Sequence, residues 1–316
     1  MSVACNKKSS LTLLTSLGHL TTKLVFVIQF RAHRIEIMWE VTLIQNYANF
    51  IKHHLKDKEK KCSTKYLNEL EKFSEGLVTA TNISKIFSGI SAPTSRHYYA
   101  SILYTTLINR MIGFGMTLPY NSIGNIEAEY CDHGTAAVIT RSIYEIRLCF
   151  HYLCIDICSD DEFECRLNLF NLHDCSTRIK IIDNECIFFE EQAEILKEKI
   201  KSNNFFSKFT PKKQAEILKS KTHFLYPLAE ISTKAGISEE IFKIIYPMLS
   251  THVHCLPFSF YRSGQKNRGL GIHCEIEDMY LTFYLEICST ILHDSSTEYA
   301  AMWKPYTDLV QKKYTL

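Results

Sequence analysis

The stretch from His133 to Cys158 constrains the fold more than any other, because it is apolar at helical spacing and yet carries charge. Ile139, Ile143, Ile146, Phe150, Leu153 and Ile157 recur at steps of three and four, the period of a helix packing into a core. Val138, Leu148, Cys149 and Tyr152 cover much of the remaining circumference. The pattern therefore predicts a central helix over about 132–158, enclosed by others. Arg141 and Glu145 stand one turn apart inside it. Charges withdrawn from water must be paired or hydrogen-bonded, so the expectation is a buried ion pair that either locks the core or lines a polar pocket.

Helical periodicity recurs along most of the chain, and alternating strand patterns are scarce. Further helices are expected near 38–56, 64–88, 95–117, 160–183, 185–203, 210–221, 222–235, 238–255, 273–293 and 295–313. Thr94 before Ser95, Thr210 before Pro211, and Ser238 after Gly236 supply start and stop signals. The fold class is all-α: an irregular, orthogonal multi-helix bundle around the central helix, forming a single domain over 38–316. Residues 1–37 read as an N-terminal extension, expected to be poorly ordered. Leu11 to Phe30 is apolar, but His19 and Lys23 interrupt it and no small-residue cleavage site follows. It therefore reads as neither a signal peptide nor a membrane span.

A formal charge of +2 offers no global field for nucleic acid or membrane. The twelve cysteines include no Cys-x-x-Cys pair, so reduced thiols are expected, with no structural zinc and a cytoplasmic location. His252 and His254 are two residues apart and point to different sides of a helix, so they share no ion there. No metal and no cofactor are expected.

Three blocks resemble a bacterial family of unknown function, DUF5677. AAVITRSIYEIRLCFHYL (136–153) is similar to its Arg-x-x-(Tyr/Phe)-Glu helix through Arg141, Tyr144 and Glu145. YPLAEISTKAGISEEIFKIIYPMLSTHVH (226–254) is similar to its Tyr-x-x-x-Ser-x-x-Val-His block through Tyr246, Ser250, Val253 and His254. CRLNLFNLHD (165–174) supplies a weaker match through Arg166. The resemblance spans roughly 40–260, with Pro247 and His252 as departures. It implies an all-helical fold and no particular activity.

Tyr246, Ser250 and His254 step by four and form one side-chain stripe. Set against Arg141 and Glu145, that stripe forms either an interhelical hydrogen-bond network or a pocket for a small polar or anionic ligand or a protein partner. Ser250, His254 and Glu145 are the residue types of a nucleophile, base and orienter. No Gly-x-Ser-x-Gly elbow accompanies them, and hydrolysis is disfavoured. The loop 257–271 carries Arg262, Lys266 and Arg268 among glycines and is a candidate anion-binding loop, or a solvated basic turn. The leading expectation is a non-enzymatic binding or interaction module. The alternative is a metal-independent ribonuclease of the HEPN type, acting on RNA through an Arg–His pair. Arg166 with His173 and Arg268 with His273 have that spacing, which chance also produces in a chain with thirteen histidines.

Overall fold

A computed structural model describes residues 62–119, 132–182, 186–261, 269, 271 and 274–309. Ten α-helices and no strands occur among the described residues. They are α1 (Thr64–Phe87), α2 (Ser95–Met116), α3 (His133–Phe150), α4 (Asp160–Ile181), α5 (Cys186–Lys201), α6 (Pro211–Leu218), α7 (Leu228–Lys234), α8 (Glu239–Val253), α9 (Pro257–Phe260) and α10 (Glu275–Trp303). The expected extension over 1–37 and helix over 38–56 lie outside the described residues.

Local chemistry sets most of these boundaries. Ser63, Thr94, Ser159, Thr210 and Ser238 each cap a helix, their side-chain oxygens accepting a backbone N–H of the first turn. Gly236 ends α7 at φ +86°, with Ile237 N–H donating to Ser232 O and Gly236 N–H to Thr233 O. This left-handed stop suits a residue without Cβ.

The central helix is α3. It packs on α2, α8 and α10, while α10 also lies along α1. Ile143, Leu148 and Phe150 of α3 join Tyr104, Phe114, Leu285, Leu292 and Trp303 in the main core. A second core forms where α4 pairs with α5 and receives Phe206, Ile217 and Leu225. Tyr226 packs against both cores and joins them.

Four expectations change. The central helix is α-helical only to Phe150; His151–Ile155 forms a π-helical turn, and Asp156 leaves it in an extended conformation. The wider turn breaks the three-and-four step, so Ile157, expected in the apolar line, is 96% exposed. The helices expected at 273–293 and 295–313 are one, α10, followed by a 3-10 turn over Lys304–Tyr306. Ser295, where the second of these helices was expected to start, and Ser296 are both buried within α10. The helix expected at 222–235 shortens to α7, because Pro227 disfavours helical backbone at Tyr226. Pro247, in contrast, is accommodated inside α8 without ending it.

No helix among the described residues is long and apolar enough to cross a membrane.

Candidate functional site

Arg141 projects from α3 towards α8, where three groups meet it. Its Cζ lies 3.6 Å from the ring centroid of Tyr246, its Nε donates to Ser250 Oγ at 3.2 Å, and its Nη1 is 2.7 Å from Glu145 Oε1. Ser250 in turn donates to Tyr246 O at 2.7 Å. Four of the five residues expected to converge therefore do so. Tyr144, on the same helix, faces Tyr246 and Phe242 and shares a 2.8 Å hydrogen bond with Ser232 of α7. Burial is the main cause that pushes the Tyr144 and Tyr246 phenols above their ordinary pKa.

Two features differ from expectation. The ion pair is buried only at its arginine: the Glu145 side chain is 52% exposed. His254 stands apart from the cluster. α8 ends at Val253, so His254 is the C-cap residue, exposed, and Cys255 turns away at φ +48°. A four-residue stripe requires a helix that continues, and this one stops.

Stronger buried charges lie elsewhere. Arg147, two turns beyond Arg141 on α3, is 2% exposed and forks onto Glu298 of α10, with Nη2 2.9 Å from Oε1 and Nη1 paired with Oε2. Arg166 is sealed beneath Tyr152, whose ring centroid is 4.3 Å from Cζ. Its donors reach Tyr152 O at 2.7 Å, Asp156 Oδ2 at 2.7 Å and Glu162 Oε1 at 2.5 Å. Tyr226 also donates to Glu162, at 2.7 Å. Every face of this guanidinium is engaged, which leaves no approach for a phosphate. Arg147 carried the same sequence signal as Arg141, a cation within an apolar run; nothing local revealed its partner 151 residues away.

Two depressions flank the Arg141 cluster. One, about 310 Å³, is lined by Asp132, Gly134, Thr135, Val138, His252 and Ser259. Behind it His133 stacks on Tyr280, meets His252 edge-on, and lies 3.5 Å from the fully buried Glu277. Glu277 also accepts from Gly269 N–H at 2.8 Å, and Asp278 holds the α1 cap residue Ser63 through both carboxylate oxygens. The other depression, about 290 Å³, runs from Glu145 to Lys213 and the 222–228 segment. Here His223 Nε2 stands 3.8 Å from Cys149 Sγ and its ring packs edge-on against His173. Burial and then His173 lower the His223 pKa to about 4, and burial pushes the Cys149 thiol up to about 12. That thiol is therefore protonated and a poor nucleophile at neutral pH. No group of three or more His, Cys, Asp or Glu among the described residues is placed to hold a metal ion.

Of the basic loop, Arg262, Lys266 and Arg268 lie outside the described residues, as does His273.

Neither a curated protein nor a solved structure matches the chain. A family model matches residues 126–271, a stretch that contains the Arg141, Arg166 and Ser250 blocks and begins later than the position near 40 expected from the sequence. Over residues 126–271 the chain is similar to DUF5677, a family of unknown function.

Proposed function

We propose that the chain is a non-enzymatic interaction module, in which the Arg141 cluster holds α8 in position and the outer flank of α8 with α9 receives a protein partner. The observation that carries this reading is a contrast in exposure. Arg141 is covered by Tyr246, hydrogen-bonded through Nε to Ser250 and ion-paired with Glu145, although its Nη1 makes no hydrogen bond among the described residues. Beside it, Ile241, Ile244, Leu256, Phe258, Phe260 and Tyr261 are exposed on consecutive elements. Single exposed apolar residues are ordinary on a protein surface; these six, with Val253 a seventh, within 21 residues are the composition of a recognition patch. In the chain this run leads directly into Arg262, Lys266 and Arg268. A basic stretch that follows an apolar run in sequence suits a partner that brings acidic side chains.

The ribonuclease alternative asks for an Arg–His pair open to phosphate. Arg166 is enclosed by carboxylates and aromatic rings, and His173 faces His223. These placements weigh against it.

A photo-crosslinking residue at position 244 tests the proposal in the source cell. A discrete protein adduct is expected, absent when the probe is moved to exposed Asp160 and lost when Phe258→Glu is added. Metal-independent RNA cleavage that disappears in His173→Ala or His273→Ala would overturn the reading.

A further inference from the structure

We infer that the partner seated on the α8–α9 face is a second copy of this chain, docked with its α8 antiparallel. The inference rests on the interaction-module reading and names its occupant. Three observations carry it.

The first is the shape of the apolar stripe. Ile241, Ile244 and Met248 step by three and four along one flank of α8, adjacent to the side that buries Ile245 and Leu249. Ile241 and Ile244 are exposed and Met248 is half-buried, so the stripe borders the core without being covered by it. Its midpoint lies between Ile244 and Ile245. A twofold axis there sets Ile241 of one copy against Met248 of the partner subunit, and the stripe then meets itself over its whole length. Such self-complementarity is what an isologous interface requires.

The second is the direction of charge. α8 opens on Glu239 and Glu240 and closes on His252 and His254. Antiparallel docking keeps the acidic first turns of the two copies at opposite ends and opposes the two helix dipoles. Parallel docking would set acidic turn against acidic turn.

The third is area. Ile241, Ile244, Leu256, Phe258, Phe260 and Tyr261 are between 46% and 72% exposed. With about 150–250 Å² for a whole aromatic side chain, and less for an aliphatic one, they offer roughly 600–700 Å² of apolar surface. A specific interface buries about 600–1,000 Å² on each partner, so the patch is of the size that a modest, concentration-dependent dimer needs.

Sedimentation velocity of the purified full chain over a broad concentration range tests this. A reversible monomer–dimer equilibrium is expected. Ile244→Glu and Phe258→Glu should each shift it at least tenfold towards monomer, with an unchanged helical circular dichroism spectrum because both positions are exposed. Orientation is read by disulfide trapping in a Cys255→Ser background. Ile241→Cys mixed with Met248→Cys should cross-link faster than either alone. Seven residues place like positions about 10 Å apart along antiparallel helices, beyond the Cα separation of about 7 Å that a disulfide spans. A wild type that stays monomeric throughout, or a dimer unaffected by both Glu variants, overturns the inference. A monomer whose position 244 still cross-links another protein in cells would leave the interaction reading standing. A monomer that becomes dimeric only after residues 1–61 are deleted would make that segment the occupant instead. Absence of both dimer and adduct would remove both.

Discussion

The guanidinium of Arg141 lies over the ring of Tyr246 with 3.6 Å between Cζ and the centroid, tying the central helix to α8 through a face rather than an edge. The contact shares its work unevenly with the ion pair beside it. Stacking of a cation on a partly buried ring contributes about 0.5–2 kcal/mol. A pair whose carboxylate is half in water contributes about 0–1 kcal/mol. Arg141→Met should therefore cost about 1–3 kcal/mol in urea unfolding, and Glu145→Gln less than about 1 kcal/mol. Equal losses in the two variants would mean that the ion pair, and not the ring, holds α8.

The order reverses at Arg147. Its guanidinium is almost wholly buried and pairs with the Glu298 carboxylate, so removal of that partner strands a charge in the core. Glu298→Gln should cost about 3–5 kcal/mol, the range for breaking a buried pair from one side. The double variant Arg147→Met with Glu298→Leu should recover much of that loss, because a matched apolar pair has no charge to desolvate. Equilibrium denaturation of the three proteins checks both statements. A single variant with an unshifted midpoint would show that Arg147 finds water or another acceptor.

Helix existence was legible in the sequence because apolar period and capping residues act locally. The expected spans for α1, α2 and α4 agree with the structure to within two residues at each end. What the sequence did not reveal depends on distant partners. A break was expected between 293 and 295, yet the Ser296 hydroxyl donates to Leu292 O and accepts from Tyr104 OH at 2.8 Å, and α10 runs through this stretch. The candidate cluster was legible as far as α8 remains helical: Tyr246 and Ser250 reach Arg141, and His254 falls beyond the last turn. The π turn after Phe150 has no local signature, and with it the loss of Ile157 from the core was invisible.

The thiols should divide by depth. Cys165 and Cys288 are buried, and burial pushes both up to about 12, as it does Cys149. Cys255 is exposed at the end of α8. Since the thiolate is the reacting species, iodoacetamide at pH 8 should label Cys255 before Cys149, Cys165 and Cys288, and leave Cys288 unmodified until the protein unfolds. Peptide mass spectrometry over a time course reads the order. Early labelling of Cys288 would mean that α10 opens away from α3, where Thr140 now faces that sulfur at 3.8 Å.

His223 gives the fold an acid limit. Its ring is packed against Phe170, Phe224 and His173, with Cys149 Sγ at its Nε2, and no carboxylate is among these neighbours to stabilise a proton. Burial first, and His173 second, lower its pKa from 6.5 to about 4. The unfolded chain therefore takes up a proton at a pH where the folded chain does not. The contribution of the neutral ring to stability is fully present above about pH 6.5 and is lost as pH falls towards 4. His151 acts in the same direction, its pKa lowered by burial and then by Arg147. Urea midpoints should thus fall between pH 6.5 and 4, and His223→Phe should flatten that fall while leaving the share due to His151. His173→Phe removes the second of the two causes that lower the His223 pKa, so the acid fall should still begin near pH 6.5 but be smaller than in wild type. A His223→Phe protein with the wild-type pH profile would assign the acid sensitivity to other groups.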